Sequence, residues 1–190
     1  MIPNPNDEHD SLDSPPDSSP KSSLESSRES FWWDAVDEAT ELLMDKNPSE
    51  ALVCLRDVVR KDPQNPYAFY YIGTAFFELG RFDQARIAYE AALRLSPKYL
   101  AALVGLSHAV RIAGDPPEAI RHARRALRQC PGDGDALFAL GLALASNRDR
   151  DGAIAALTEF LRTRPEFEVA MEARAMLDKL GSLGDESDDD

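Results

Sequence analysis

The feature that most constrains this chain is a repeat of 34 residues. Alanine and proline each recur at that interval, at Ala51, Ala85, Ala119 and Ala153 and at Pro63, Pro97, Pro131 and Pro165. A fixed period of this size is typical of proteins built from stacked units, in which each unit buries its apolar face against its neighbours. Such proteins present a long surface rather than a deep pocket. The repeat therefore favours a function in holding another protein.

Each period predicts two helices. In residues 66–99, apolar and small residues follow the i, i+3, i+4, i+7 spacing of a helix face twice, at Phe69, Ile72, Gly73 and Phe76 and at Ala85, Ala88, Tyr89 and Ala92. Gly80 separates the two helices and Pro97 ends the second. We expect Gly73 and Ala85 to face each other where the helices cross. The same pattern predicts units at 32–65, 66–99, 100–133 and 134–167.

Side chains that can cap a helix stand before several of the predicted second helices. Asn47-Pro48 and Asp115-Pro116 each pair a capping residue with proline at the first helical position, and Asp149 occupies the same place in the last unit. A single helix at 167–180 follows the last unit. We expect it to turn Met171, Ala175, Met176 and Leu180 inward and to end at Gly181.

These residues resemble the tetratricopeptide repeat family. The match is carried by an aromatic residue, an Ile-Gly pair and a second aromatic in the first helix, followed by alanine, an aromatic, alanine and a closing proline. In unit 66–99 these are Phe69, Ile72-Gly73, Phe76, Ala85, Tyr89, Ala92 and Pro97. The resemblance covers about residues 32–180 and implies an all-α fold. That fold is a right-handed superhelical array of helix-turn-helix repeats, closed by the helix at 167–180 as a cap.

The two ends of the chain differ from the repeats in composition. Residues 1–30 contain nine serines and five prolines, and residues 181–190 contain five acids and no base. Too little apolar surface is available there to offset chain ordering, so we predict disordered tails at 1–30 and 181–190 and a helical domain at 31–180. Most of the net charge of −13 lies in these tails. The nearly balanced body argues against nucleic-acid binding.

The chain carries no feature of a secreted or membrane protein. Its N-terminus lacks a basic start and an apolar run, and its longest apolar run, 136–145, is too short to span a bilayer. Cys54 and Cys130 lie far apart, and we expect both to be reduced and in apolar surroundings. The sequence therefore predicts a cytoplasmic protein without membrane insertion.

No catalytic, metal-binding or cofactor-binding motif stands out. The three histidines, His9, His108 and His122, have no partners at the spacing of a zinc or nucleophile motif, and no phosphate-binding glycine loop occurs. We therefore predict that the protein is not an enzyme and uses no metal or cofactor.

The second face of each first helix is the candidate binding surface, because in tetratricopeptide arrays this face lines a concave groove. The residues predicted for it are Trp33, Val36, Tyr67, Tyr70, Phe77, Val104, His108, Arg111, Phe138 and Leu142. One interpretation is a groove for an apolar peptide or helix. The alternative is that Val36, Tyr70, Val104 and Phe138 pack between neighbouring first helices.

Some family members bind the C-terminal carboxylate of chaperones through lysine, asparagine and arginine in this groove. The matching places here hold Val36, Thr40, Tyr71, Ala101 and Gly105. The resemblance therefore does not extend to that partner class.

A basic stripe is the second candidate surface. Arg121, Arg124, Arg125 and Arg128 follow the i, i+3, i+4, i+7 spacing of one helix face. They lie opposite Ala119, Ala123 and Ala126, so we expect them to face solvent on the convex side. The stripe is either an ordinary solvated face or a docking patch for an acidic partner or for the acidic tails.

The sequence as a whole favours a non-enzymatic adaptor that binds a protein segment in its groove. One alternative is a dedicated chaperone resembling those that escort translocator subunits of type III secretion systems. Another is a regulatory subunit switched by phosphorylation of the serine-rich N-terminal tail, for example at Ser14 or Ser19.

Overall fold

The computed structural model describes residues 23–185, and the regular elements within that range are all α-helices. They are α1 (Ser23–Asp34), α2 (Asp37–Met44), α3 (Pro48–Lys61), α4 (Pro66–Glu78), α5 (Phe82–Leu95), α6 (Leu100–Ile112), α7 (Pro116–Gln129), α8 (Gly134–Ser146), α9 (Arg150–Arg162) and α10 (Phe167–Asp185). The sequence period is the period of the helices: α4, α6 and α8 each have 13 residues and begin 34 residues apart.

From α2 onward each helix packs against the next one along the chain, whereas α1 packs against α4. The first helices of successive units also touch, α4 against α6 and α6 against α8. Fully buried alanines occupy the repeated positions Ala85, Ala119 and Ala153, where small side chains let the helices approach closely. The buried residues form two clusters. A small cluster joins α2, α3 and α4, and a large one runs from α5 to α10. The partly buried Phe76 of α4 packs against both.

The turn inside each unit requires a left-handed residue at the same repeat position. Backbone φ is 60° at Lys46, 70° at Gly80, 99° at Gly114 and 62° at Arg148. Glycine adopts this conformation without a steric penalty, whereas lysine and arginine do not. The two central units therefore use the favoured residue, and the first and last units do not.

Side chains cap most, but not all, of the predicted helix starts. The carboxylate of Asp115 accepts from the Glu118 amide (3.0 Å), and that of Asp149 accepts from the Gly152 amide (3.0 Å). Asn47 makes no such bond before α3, so the cap predicted there is wrong.

Tyr89, rather than Ala85, fills the space beside Gly73. A Cβ added to Gly73 would lie 2.6 Å from the Tyr89 ring, and one added to Gly105 would lie 2.7 Å from it. Because Gly73 lies in the unit of Tyr89 and Gly105 in the next, one aromatic ring is held between two units. Ser107, at the repeat position of Gly73, donates its hydroxyl to the buried carbonyl of Ala119 at 2.9 Å.

The helical domain begins earlier than the composition indicated. Residues 23–30, predicted as tail, form the first part of α1. The helix is fastened at its other end, where the Trp32 indole nitrogen donates to Asp62 (2.8 Å) and Asn65 donates to the Trp32 carbonyl (3.1 Å). We therefore propose a domain that starts at Ser23. The remaining predictions of disorder, for residues 1–22 and 186–190, lie outside the described residues.

The first unit departs from the others because its first helix is broken. Ala35 and Val36 lie in a turn between α1 and α2. The Val36 amide bonds the Trp33 carbonyl three residues back at 3.0 Å, instead of continuing the four-residue pattern of an α-helix.

The helix α10 covers the last unit in a different register from the one predicted. Ala170, Ala173 and Leu180 are buried, whereas Met171 is 47% exposed and Ala175 is also exposed, so the predicted inward placement of Met171 and Ala175 is wrong. Val169, Met176 and Leu177 complete the inner face. The helix also passes through Gly181 rather than ending there. Arg150 of α9 donates to the carbonyls of Leu180 (2.6 Å) and Gly181 (3.1 Å).

The two cysteines are free and differ in environment. Cys54 is half-buried, with its sulfur 3.7 Å from a Glu38 carboxylate oxygen, and burial raises the pKa of its thiol. Cys130 is exposed, so the prediction of apolar surroundings is wrong for it, because its chain segment has already left α7 at that point.

Candidate functional site

The residues predicted for the groove lie mostly on α4, α6 and α8, the first helices of three successive units. Trp33 is 45% exposed at the end of α1. The predicted residues that are half-buried, and so keep part of their surface open, are Tyr67, Tyr70, Phe77, Val104, His108, Arg111 and Phe138.

The centre of this surface is a groove of about 270 Å³ between α4, α6 and the start of α8. Tyr70, Val104 and His108, all predicted, line it. Gly105 lines its floor together with the Tyr89 ring, and Asp133 and Asp135 lie at its α8 side. The groove is thus apolar along α4 and α6 and carries carboxylates along one margin.

Aromatic side chains extend this surface toward α1. The ring centroids of Trp33 and Tyr67 are 4.4 Å apart, those of Tyr67 and Tyr99 are 5.3 Å apart, and those of Tyr70 and Tyr99 are 5.1 Å apart. Tyr71 joins the group 5.0 Å from Tyr70. Edge-to-face and tilted arrangements of this kind are favourable contacts between aromatic rings. The result is a continuous aromatic surface that leads into the groove.

Three of the predicted residues take part in packing between helices rather than in the open surface. Val36 is fully buried and Leu142 is 7% exposed, so both belong to the packing between helices and their prediction as contact residues is wrong. Val36 does not reach the groove surface because it lies in the turn between α1 and α2. Phe77 packs edge-on against Phe82 with centroids 5.3 Å apart, which closes the turn between α4 and α5.

Phe138 serves both groove and core. Its ring stacks 4.9 Å from the buried Phe160 ring and lies 6.4 Å from His108. The packing alternative considered from the sequence therefore holds for Val36 and in part for Phe138, whereas Tyr70 and Val104 line the groove.

Burial controls the ionisation of the polar groups in the groove. It raises the pKa of the Tyr70 hydroxyl, and the hydroxyl of Thr74 offsets part of this effect. Burial, together with the positive charge of Arg111, lowers the pKa of His108 to about 4. At neutral pH the groove therefore presents an uncharged tyrosine and an uncharged imidazole, which suits a ligand with apolar and hydrogen-bonding groups.

The basic stripe on α7 is only partly free. Arg121, Arg124 and Arg128 are exposed as predicted. Arg125 is half-buried and donates from Nη2 to the Pro97 carbonyl at 2.7 Å, which ties α7 to the preceding unit. Arg125 is therefore less open to solvent than the other three arginines of the stripe.

The sequence pattern does not identify two aromatic residues of the surface beside the groove, Tyr71 and Tyr99. Tyr99 directly precedes α6 and was not assigned to the groove, because the helix-face pattern stops at Pro97. Tyr71 was considered only as a place where a clamp residue would stand. The available signal was local density, since Tyr67, Tyr70 and Tyr71 occur within five residues.

The described residues hold no group of three or more His, Cys, Asp or Glu side chains placed to bind a metal ion. Over the same range, no helix has both the length and the apolar character needed to cross a membrane.

Comparison with known proteins identifies the family. The tetratricopeptide repeat family model matches residues 36–99 and 105–177, which is more than half of the chain. The chain belongs to the tetratricopeptide repeat family, and the predicted family and all-α fold class, a right-handed superhelical array of helix-turn-helix repeats, are confirmed. No curated protein matches the chain.

Several solved structures share the fold. MamA 41-end from Desulfovibrio magneticus RS-1 is 19% identical, with a TM-score of 0.69 over 83% of this chain and 86% of that one. YrrB, described as having an unusual peptide-binding site, is 22% identical, with a TM-score of 0.63 over 80% of this chain and 77% of that one. The first tetratricopeptide repeat domain of Spaghetti (RPAP3), bound to the HSP90 peptide SRMEEVD, is 20% identical, with a TM-score of 0.59 over 62% of this chain and 93% of that one.

Proposed function

We propose that this protein is a non-enzymatic adaptor that holds a segment of another protein in the groove between α4, α6 and α8. The observation that carries the proposal is the partly exposed surface of Tyr70, Val104 and His108 beside the aromatic group of Trp33, Tyr67 and Tyr99. Large apolar and aromatic side chains on a rigid concave face are the usual anchors of peptide binding. Two proteins with the same fold, YrrB and Spaghetti, are described with a peptide-binding site or a bound peptide.

The groove differs from a clamp for a chain terminus. None of the clamp places Val36, Thr40, Tyr71, Ala101 and Gly105 offers a cation. We therefore propose recognition of an internal segment, peptide or helix, in the cytoplasm, rather than of a C-terminal carboxylate, a nucleic acid or a lipid.

The test is affinity capture from the native cell with the full chain, comparing wild type with Tyr70→Ala and Val104→Ser. Val104 is preferred to Phe138 because Phe138 also stacks on the core residue Phe160. Truncating an anchor in a binding surface costs about 2 kcal/mol or more, so we expect roughly 30-fold weaker retention.

Ile87→Ala is the matched control, because Ile87 is 63% exposed on α5 and lies outside the groove. Circular dichroism should show the same helix content in all variants. Equal retention of every captured protein by wild type and both groove variants would reject the proposal.

A further inference from the structure

Arg111 lies on α6 just beyond the residues that line the groove, and its bonding is incomplete. It lies near the end of α6, half-buried, seven residues after Val104 and three after His108, and therefore on the same helix face. Its Nε atom is buried and has no hydrogen-bond partner. A buried donor without a partner is unusual in a folded protein. Because Nε is closed to solvent, a ligand would reach the Nη atoms of the half-buried guanidinium, which make no hydrogen bond within residues 23–185.

The charge of Arg111 is also incompletely balanced. Burial lowers the pKa of its guanidinium, and the carboxylate of Glu172 on α10 offsets only part of this effect. Among residues 23–185 no carboxylate forms an ion pair with it. The neighbouring imidazole of His108 is neutral at pH 7, because its pKa lies at about 4. Arg111 is thus the one charged side chain of α6 at neutral pH, and its charge lies in a partly desolvated site.

The spacing along α6 gives the distance between the charge of Arg111 and the apolar groove. Seven residues of α-helix separate Val104 from Arg111, which is about 10 Å at 1.5 Å per residue. An extended peptide covers that distance in about three residues, at 3.3 Å each.

We propose that Arg111 is the specificity-determining residue of the groove and binds an aspartate or glutamate side chain of the partner segment, about three residues from an apolar side chain seated against Tyr70 and Val104. This inference rests on the proposed function and names the chemistry of the partner. A planar guanidinium matches a carboxylate in geometry as well as charge, because its nitrogens donate two parallel hydrogen bonds.

The site is separate from the clamp places considered from the sequence. Those on α6, Ala101 and Gly105, lie in its first half, whereas Arg111 lies in its last turn. The ligand assigned to Arg111 is a side chain within a bound segment, and peptides without a free C-terminus test this assignment. Another possible occupant is the chain's own acidic end, 186–190, and the experiment separates the two.

The experiment is selection of short random peptides displayed on phage and fused at their C-termini, so that they carry no free terminal carboxylate. The full-length chain is the target, as wild type, Arg111→Gln and Arg111→Lys. Arg124→Gln is the matched control, since Arg124 is exposed on α7 in the basic stripe. We expect wild type and the control to enrich peptides with an acid three residues from an apolar residue, Arg111→Lys to enrich them less, and Arg111→Gln to lose the acid preference.

A double-mutant cycle on one selected peptide makes the test quantitative. Arg111→Gln, or replacement of the peptide's acid by its amide, should each weaken binding by at least about tenfold, because a pair with two charge-assisted hydrogen bonds is worth no less than one such bond. The two changes together should cost little more than either alone.

Several outcomes would overturn the inference. Selected peptides without acid enrichment, or enrichment that persists in Arg111→Gln, would remove Arg111 as the determinant while leaving the groove intact. Binding that appears only after the acids of 186–190 are changed to amides would identify the chain's own end as the occupant. Peptides that bind wild type and the Tyr70→Ala variant equally would instead reject the groove itself.

Discussion

The two ends of the array differ in how the apolar surface of the terminal unit is covered. At the C-terminal end, α10 lies over α9 and keeps Leu157 and Phe160 almost fully buried. At the N-terminal end, the outer face of α2 and α3 forms an open cleft of about 540 Å³, where Val53 is 61% exposed. That cleft mixes apolar side chains with Glu38 and Glu50 among others. A terminal unit can therefore be covered by an extra helix or made polar enough to meet water, and this chain uses both solutions.

The largest expected effect comes from removing the C-terminal cover. Ending the chain after Pro165 should expose the apolar side of α9. Burial of a single large apolar side chain is worth about 1.5–3 kcal/mol, so loss of the α10 contacts should cost roughly 5 kcal/mol or more. That is comparable to the whole stability of many domains. The measurement is urea unfolding followed by circular dichroism.

Removal of 186–190 alone is the control for that truncation and should leave the midpoint unchanged. A chain ending at Pro165 that stays as soluble and as stable as wild type would show that the two ends are equivalent and that α10 is not a cover.

A matched pair of core substitutions sharpens the comparison. Leu55 and Leu157 occupy the same repeat position in the first and last units, and both are fully buried. Each change to alanine should cost about 2–5 kcal/mol locally. We expect Leu157→Ala to lower the midpoint of the whole array, because Leu157 belongs to the large cluster. Leu55→Ala should mainly loosen the small cluster of the first unit.

Hydrogen exchange read by mass spectrometry distinguishes the two results. Faster exchange confined to α2 and α3 in Leu55→Ala, and spread across α6 to α10 in Leu157→Ala, is the expected pattern. The same spread for both variants would mean that the clusters unfold together and that the ends do not differ in cooperativity.

The smallest effect concerns the turns of the two end units. Lys46→Gly and Arg148→Gly should each stabilise the chain by about 0.5–1 kcal/mol, because the left-handed backbone there strains a residue with a side chain. Gly80→Ala, at the same turn position of the second unit, should destabilise it by about 1 kcal/mol. Thermal melts of the three variants test the set. Equal gains at Lys46 and Arg148 are expected if the turns act locally, whereas no gain at either would refute strain at this position.

The repeat made most of the fold predictable, because spacing is a property that survives changes of individual residues. The alanines at 34-residue intervals are buried, and the helix pairs follow them. Residue type alone did not predict the start of the helical domain or the neighbour of Gly73, because a long-range contact determines each of them. Composition could not foresee that Trp32 and Asn65 fasten α1, or that Tyr89 rather than Ala85 meets Gly73.

The candidate site was predictable as a face but not residue by residue. A helical wheel places Val36 and Tyr70 on comparable faces, yet a break in the first helix buries Val36 while Tyr70 stays at the groove. Tyr99 lies outside a helix, so no periodic pattern could include it. For Arg111, the sequence predicted its position, but only the packing around it revealed a donor without a partner.

The ring of Tyr89 also gives the units a fixed order. It is large and meets glycine on both sides, whereas the corresponding residue of the next unit, Ala123, is small, and its neighbours Ser107 and Ala139 carry side chains. If the second and third units changed places, Tyr89 would face Ala139, whose Cβ would enter the space that Gly105 leaves empty. Recombination could therefore add or exchange units in this chain only where a large side chain on one unit meets a glycine on its neighbour. The units have similar backbones, but their side chains allow only one order along the chain.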